Sequence, residues 1–235
     1  MASGRGLRPV LRATPFDKSY SKAIVQILTE KQQTELGSIA TEVQFKRGAS
    51  VYHTDSPANS VFIVKEGMVK AFQDFPSGRQ RVLAFLFAGD VFGLAEDGHY
   101  LNSVQAVTPT TCFKIPTGAL TDIFLRDSEL ALQFLVKMTH ELREAQRQQM
   151  VLTRLGARAR VAMFLRMLQR RHGGGSSRIE IVMSRVDIAR YLGLSSEAVS
   201  RAIARLSREG IVAFPSLHVA EILDRSQFDR LALAS

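Results

Sequence analysis

Residues Ser184 to Gly210 read SRVDIARYLGLSSEAVSRAIARLSREG and decide the fold of the C-terminal part of the chain. Ser184, followed three residues later by Asp187, is a capping-box signal for the start of a helix, and Gly193 is a typical stop. A second helix is expected to begin near Ser195. Two short helices joined by a tight glycine turn are the signature of a helix-turn-helix.

The apolar spacing predicts which face of each helix is buried. In the first helix the apolar residues are Val186, Ile188, Ala189 and Leu192. In the second, Val199, Ile203 and Leu206 recur at i, i+4 and i+7 and should face the core. The positions left on the outer face are Ser196, Glu197, Ser200, Arg201, Ala204, Arg205 and Arg208.

This outer face suits DNA. A carboxylate such as Glu197 can accept a hydrogen bond from a cytosine amino group, and Arg201 can hold a guanine edge with two hydrogen bonds. Arg205 and Arg208 lie farther along and can reach phosphates. The alternative is an ordinary helical hairpin with a solvated charged face.

The charge of the chain is uneven. Its formal net charge is +9, and the residues from Gly156 to Ser235 contain 13 Arg, no Lys and 7 acidic residues, a net charge of +6. A compact basic domain favours nucleic acid through counterion release, although basic surfaces also bind membranes or maintain solubility. Arginine without lysine favours phosphates and base edges.

Length and composition predict two globular domains and a short arm. The 235 residues are 46% apolar, yet no apolar run is long enough to cross a bilayer, so we expect a cytoplasmic protein with no membrane partner. Residues 1–22 are rich in Gly, Pro and Arg and are predicted to form a flexible basic arm. A transit peptide is the alternative.

Residues 23–118 are predicted to begin with a short helix and continue as a small β-barrel or β-roll with a sensory or scaffold role. The predicted strands are Val43–Phe45, Ser50–His53, Val61–Lys65, Met68–Phe72, Gln80–Leu86 and Thr111–Ile115. The one cysteine, Cys112, lies in the last strand and is expected to be a buried apolar residue, without a redox or ligand role. The histidines show no spacing typical of metal ligands.

Residues 119–155 have a helical period and are predicted to form a dimerisation helix. The positions that recur at intervals of three and four are Leu135, Met138, Leu142, Ala145, Gln149 and Leu152. Such spacing is typical of a coiled-coil seam and indicates pairing with a second copy of the chain. The alternative is packing against the β-roll alone.

Residues 156–235 are predicted to form a winged helix-turn-helix. An amphipathic helix from Gly156 to Arg171 and a strand from Arg178 to Met183 precede the two short helices. A hairpin follows them, with strands Ile211–Phe214 and His218–Leu223 and a turn at Pro215 and Ser216.

The order of these parts resembles the Crp/Fnr family of bacterial transcription regulators. The resemblance covers about residues 28–233 and includes FKRGASVYHTDSPANSVFIVKEGMVKAF, GDVFGL and YLGLSSEAVSR. It implies an α+β fold: an N-terminal β-roll like a cyclic-nucleotide-binding jelly roll, a long dimerisation helix and a C-terminal winged helix-turn-helix. The Glu-x-x-Ser-Arg pattern is similar to that of the Fnr and FixK branches, whereas the cyclic-AMP-responsive branch has Gly where Ser200 stands.

The resemblance also implies how DNA would be read. Glu197, Ser200 and Arg201 would read a TTGA-type half-site, with Arg201 on guanine, and a homodimer would bind an inverted repeat of double-stranded DNA. The other predicted DNA contacts are Ser184, Arg185, Ser195, Ser196, Arg205 and Arg208. The family implies RNA polymerase as a further partner and, for this chain, activation of transcription.

The resemblance implies that this chain binds no cyclic nucleotide. Family members that hold a cyclic nucleotide carry a Glu and an Arg-Ser pair in the loop that here reads GLAEDGHYLNS. Leu94 stands where the Glu is expected, Tyr100 or Leu101 where the Arg is expected, and two acidic residues, Glu96 and Asp97, would repel a phosphate.

The iron–sulfur members use an N-terminal cysteine cluster, and no cysteine precedes Cys112. A FixK-like regulator of the response to oxygen limitation or nitrogen oxides, acting without cofactor, is therefore expected. The alternative is a haem-based sensor of nitric oxide with His53, His99 or His140 as the axial ligand.

The sequence disfavours two other function classes. A cupin-type metal enzyme needs a cluster such as His-x-His with a nearby Glu, which the sequence lacks, so no catalytic residues are predicted. A non-specific DNA-architectural protein is disfavoured because the Glu197 carboxylate would be costly against DNA unless it reads a base.

Overall fold

The region with the strand pattern folds into two four-stranded antiparallel sheets. The computed structural model describes residues 29–154, 156–171 and 175–233, so the predicted arm at 1–22 lies outside the described residues. One sheet has the order β1 (Thr41–Phe45), β8 (Thr110–Pro116), β3 (Ser60–Glu66), β6 (Val91–Phe92). The other has the order β2 (Ser50–Tyr52), β7 (Ser103–Ala106), β4 (Met68–Asp74), β5 (Gln80–Phe87).

The β-roll predicted from the sequence is confirmed, with two strands more than expected. The additional strands are β6 and β7, of two and four residues, which are too short to show an alternating pattern. The turn between β3 and β4 requires glycine: Gly67 has φ +85°, and a Cβ there would lie 2.4 Å from the carbonyl oxygen of Pro109. Cys112 lies fully buried between the sheets, as predicted.

Three helices flank the β-roll: α1 (Glu30–Ile39), α2 (Thr117–Arg126) and α3 (Ser128–Arg154). The prediction of one helix over residues 119–155 was wrong, because the helical region breaks at Asp127. The Asp127 carboxylate accepts a hydrogen bond from the backbone N–H of Leu130 at 2.9 Å and so caps the start of α3. It also accepts from the Gln32 side chain at 3.1 Å, which ties α1 to this junction.

The C-terminal part forms the predicted winged helix-turn-helix. Its elements are α4 (Ala157–Arg171), β9 (Arg178–Glu180), α5 (Arg185–Leu192), α6 (Ser196–Arg208), β10 (Val212–Ser216), β11 (Val219–Ile222) and α7 (Arg225–Leu233). The three strands pair antiparallel in the order β10, β11, β9.

Three details of this domain differ from the prediction. The strand predicted over Arg178–Met183 ends at Glu180 because only Arg178–Glu180 pair with β11. The wing turn lies at residues 217–218 instead of Pro215 and Ser216, since Ser216 still pairs with Val219. The last helix, α7, was not predicted.

The β-roll and the winged helix domain share one apolar cluster. Phe85 on β5 contributes to it, and its ring centroid lies 5.1 Å from that of Tyr191 on α5 and 6.1 Å from that of Phe164 on α4. The helix-turn-helix is thus held against the sheet. Among the described helices, none combines the length and apolar composition needed to cross a membrane.

Candidate nucleic-acid interface

The first helix of the helix-turn-helix starts and stops where the sequence indicates. The Ser184 hydroxyl oxygen accepts from the backbone N–H of Asp187 at 3.0 Å, and the hydroxyl donates to the Asp187 carboxylate at 2.8 Å. The expected capping box is therefore modified, since the carboxylate bonds to the Ser184 hydroxyl. At the other end Gly193 adopts the left-handed conformation with φ 61°, which turns the chain toward α6.

The buried face of α5 differs from the prediction at one position. Ile188, Ala189 and Leu192 are buried, together with Tyr191, but Val186 is 47% exposed. At about 100° per residue, Val186 lies about 200° from Ile188 around the helix axis and so faces the other way. The assignment of Val186 to the apolar face was wrong.

The second helix, α6, presents the predicted outer face. The Ser195 hydroxyl oxygen caps it by accepting from the backbone N–H of Ala198 at 3.1 Å. Val199 and Leu206 are fully buried, and Ile203 is half-buried. The exposed residues are Glu197, Ser200, Arg201, Ala204, Arg205 and Arg208, while Ser196 is half-buried.

Glu197, Ser200 and Arg201 lie side by side on this exposed face. The Ser200 hydroxyl donates to the Ser196 carbonyl at 2.9 Å, which leaves its oxygen able to accept from a base. The backbone N–H of Glu197 itself, then the Ser195 hydroxyl and the charge of Arg201, hold the pKa of the Glu197 carboxyl below its ordinary value. At neutral pH this side chain is an acceptor only, as the readout of a cytosine amino group requires.

The two arginines predicted to reach phosphates differ in their surroundings. Arg205 Nε donates to Glu209 Oε1 at 2.8 Å, and Arg158 Nη1 donates to both oxygens of the same carboxylate at 2.7 and 2.6 Å. Arg208 is exposed and takes part in no ion pair within the described residues. The spacing of Arg205 and Glu209 was visible in the sequence, whereas the contribution of Arg158 was not.

The two DNA contacts predicted at the start of α5, Ser184 and Arg185, also differ in their surroundings. Ser184 is exposed, whereas Arg185 is half-buried, with its guanidinium 5.9 Å from the centroid of the Phe214 ring on the wing. This burial lowers the pKa of Arg185 from its ordinary value. Arg185 therefore ties α5 to the wing.

Three of the four described positions of the predicted seam on α3 are exposed. Leu135 and Leu142 are 62% and 59% exposed, and Ala145 is exposed as well. Met138 is half-buried and packs against the cluster under α2 and α3. The side chains of Gln149 and Leu152 lie outside the described residues.

The loop that departs from the cyclic-nucleotide pattern borders an apolar cavity of about 240 Å³ in the β-roll. The Tyr100 hydroxyl donates to the Ser60 carbonyl at 2.7 Å, and its ring stacks on Tyr52 with 3.7 Å between the centroids. Leu94 and Leu101 lie exposed at the rim. Among the described residues that line this cavity there is no Arg or Lys.

Of the histidines named for a haem ligand, His53 lines a cavity of about 320 Å³ beside Tyr52 and Tyr100, and no second histidine lines it among the described residues. His53 and His99 are exposed, and the side chain of His140 lies outside the described residues. In the described part of the chain, no group of three or more His, Cys, Asp or Glu is placed to hold a metal ion.

Comparison with known proteins identifies both domains. Residues 42–127 match the cyclic nucleotide-binding domain, and residues 159–231 match the Crp-like helix-turn-helix domain. The nitrogen fixation regulation protein FixK of Azorhizobium caulinodans is 32% identical over 200 residues, covering 83% of this chain and 81% of the relative. The transcriptional activatory protein AadR of Rhodopseudomonas palustris is 32% identical over 219 residues, covering 90% of each.

Comparison with solved structures gives the same family. The structure of FixK2 from Bradyrhizobium japonicum superposes with a TM-score of 0.77 at 31% identity, covering 82% of this chain and 97% of that chain. Because both domains match and these relatives are more than 30% identical over most of their length, the chain belongs to the Crp/Fnr family of DNA-binding transcription regulators, in its FixK branch.

Proposed function

We propose that this protein is a cytoplasmic activator that binds a TTGA-type inverted repeat as a homodimer and contacts RNA polymerase. One observation carries the proposal: Glu197, Ser200 and Arg201 lie exposed on one face of α6, whose opposite face is anchored by Val199 and Leu206. Side chains at i, i+3 and i+4 on a rigid helix can address adjacent base pairs in the major groove.

Dimerisation is supported by α3. Leu135 and Leu142 lie two helical turns apart on this helix, and both are largely exposed. Large apolar side chains that recur along one helix face are stabilised when a second helix covers them. Two copies joined along α3 would present two copies of α6 to the DNA, which matches an inverted repeat.

The proposed regulator acts without a cyclic nucleotide or an iron–sulfur cluster and responds to oxygen limitation or nitrogen oxides. The apolar rim formed by Leu94 and Leu101, and the absence of basic residues from the described lining of the cavity, leave a cyclic phosphate without a countercharge. The proposed response to oxygen limitation is supported by a relative from Pasteurella multocida, 25% identical over 198 residues, that is named anaerobic regulatory protein.

An unbiased selection from random duplexes tests the DNA site. We expect enrichment of an inverted repeat with TTGA-type half-sites, and fluorescence anisotropy should then show weaker binding to a repeat whose guanine is replaced. Enrichment of no common sequence would contradict the proposal and favour an architectural protein.

A second experiment tests the effector. Addition of cyclic AMP or cyclic GMP should leave DNA affinity unchanged, and protein purified without oxygen should be colourless. Tightening by a factor of about ten or more, or a Soret band of stoichiometric intensity, would overturn the proposal that no cofactor is used.

A further inference from the structure

A carboxylate at the C-terminal cap of α6 pairs with two arginines. Glu209, at the C-terminal cap of the helix, accepts from Arg205 Nε at 2.8 Å and from Arg158 Nη1 at 2.6 Å. Arg205 comes first and Arg158 second among the groups that lower the pKa of the Glu209 carboxyl, so this side chain stays charged at neutral pH. The pair with Arg158 also joins α6 to α4.

Arg205 belongs to the face that we assign to DNA. It follows Arg201 by four residues and Glu197 by eight, so the three side chains share one side of the helix. The Arg205 side chain remains more exposed than those of Glu209, with which it pairs, and of Arg158, the other partner of Glu209. The guanidinium of Arg205 is thus present at this surface but bonded to the protein's own carboxylate.

An exposed ion pair of this kind is weak, so a DNA phosphate can compete with the carboxylate for Arg205. This competition lowers the binding free energy that a contact between Arg205 and a phosphate contributes, because the ion pair with Glu209 must first be broken. We propose that Glu209 limits the sequence-independent affinity for DNA by competing with phosphates for Arg205. This proposal rests on the proposed function, namely that α6 faces the DNA.

Glu209→Gln tests the proposal because it keeps the size of the side chain and removes its charge. Each added phosphate contact steepens the slope of the logarithm of the DNA-binding constant against log salt concentration by about 0.9. If Glu209→Gln adds one contact per subunit, the slope of the dimer should become steeper by about 1.8. The measurement is anisotropy on a random duplex at several salt concentrations. An unchanged slope would overturn the proposal.

A double-mutant cycle identifies the arginine. Arg205→Ala should change the salt slope little in the wild type, where Glu209 competes, and should abolish the gain in the Glu209→Gln background. Equal effects of Arg205→Ala in the two backgrounds would overturn the assignment to Arg205.

Glu221→Gln is the matched control for net charge. Glu221 is exposed on β11 of the same domain and takes part in no ion pair within the described residues. We expect its neutralisation to leave the slope nearly unchanged. An equal gain from Glu221→Gln would show that only the net charge of the domain matters, and the proposal would be wrong.

These results are separable from the test of the proposed function. Sequence-specific readout is judged by the preference for the TTGA repeat over random duplex, whereas the Glu209 proposal is judged by salt slopes on random duplex alone. A protein with no sequence preference could still show the Glu209 effect, and a specific regulator could lack it.

Discussion

Lys70 Nζ on β4 donates to Asp187 Oδ1 in the first turn of α5 at 2.5 Å, and the two side chains are only 9% and 13% exposed. Asp187 also bonds to Ser184 and so belongs to the cap of the helix-turn-helix. The ion pair therefore connects the β-roll directly to the start of the DNA-binding motif. A hydrogen bond from Arg190 Nη1 on α5 to Gln80 Oε1 on β5 at 2.6 Å is a second polar contact between the β-roll and this helix.

Lys70→Met should lower the free energy of unfolding by about 3 kcal/mol, because it leaves the largely buried Asp187 carboxylate without its countercharge. Urea denaturation followed by circular dichroism measures this loss. Lys65→Met is the matched control: Lys65 pairs with Glu42, but these side chains are 39% and 49% exposed, so the expected cost is at most about 1 kcal/mol.

Combining Lys70→Met with Asp187→Asn should recover part of the loss, since no buried charge then remains unpaired. A loss from Lys70→Met no larger than that from Lys65→Met would show that the ion pair between the domains is energetically unimportant.

Arg201→Ala should cost about 1–3 kcal/mol of binding free energy on the specific repeat, the typical value of a bidentate guanine contact, and should relax the preference at that base pair.

Arg208→Ala should weaken binding to specific and random duplexes alike and reduce the salt slope by about one per subunit. Anisotropy titrations on both duplexes separate the two effects. A uniform loss for Arg201→Ala would identify it as a backbone contact.

Leu142→Glu should dissociate the proposed dimer, weakening association by at least about tenfold because a buried leucine contributes roughly 1.5–3 kcal/mol. Light scattering should give twice the chain mass of 26.0 kDa for the wild type and a value near the chain mass for the variant. Leu125→Glu is the control, since Leu125 is exposed on α2, outside the predicted seam. A wild-type mass of one chain even with operator DNA would contradict the proposed dimer.

Cys112 should resist thiol reagents in the folded protein. Burial raises the pKa of its thiol from 9.0 to about 12, so at pH 9 the thiol of the unfolded chain is half ionised while that of the folded chain stays protonated. The unfolded state therefore loses its proton first, and this group's contribution to stability falls as the pH rises from 9 toward 12. Colorimetric thiol titration should detect one thiol per chain in guanidinium chloride, and rapid labelling under native conditions at pH 9 would contradict this assignment.

Local sequence signals were sufficient for most elements of the helix-turn-helix. Ser184, Gly193 and Ser195 act through hydrogen bonds or backbone angles within a few residues, so their roles could be predicted from spacing alone. The exposed face of α6 followed from the helical period. Val186 was assigned incorrectly because its apolar character was given more weight than its angle around the helix.

Two local features escaped the pattern analysis. The break between α2 and α3 has a local cap, because Asp127 accepts from the backbone N–H of Leu130, but the helical period continues on both sides and does not reveal it. The bond from Gln32, 95 residues away in the sequence, ties α1 to this junction and could not be predicted from spacing. The wing turn shifted because Ser216 pairs with Val219, so the hairpin extends past the predicted turn residues Pro215 and Ser216.

The sequence by itself determined the β-roll, the helical region after it, the winged helix-turn-helix and the exposed face of α6, because hydrophobic period, caps and turns are local properties of the chain. Only the tertiary structure decided that Lys70 bonds to Asp187, 117 residues away, and that Arg158, 51 residues away, joins Arg205 on Glu209. Ion pairs of this kind depend on how whole elements pack in three dimensions, which the spacing of charges along the chain does not encode.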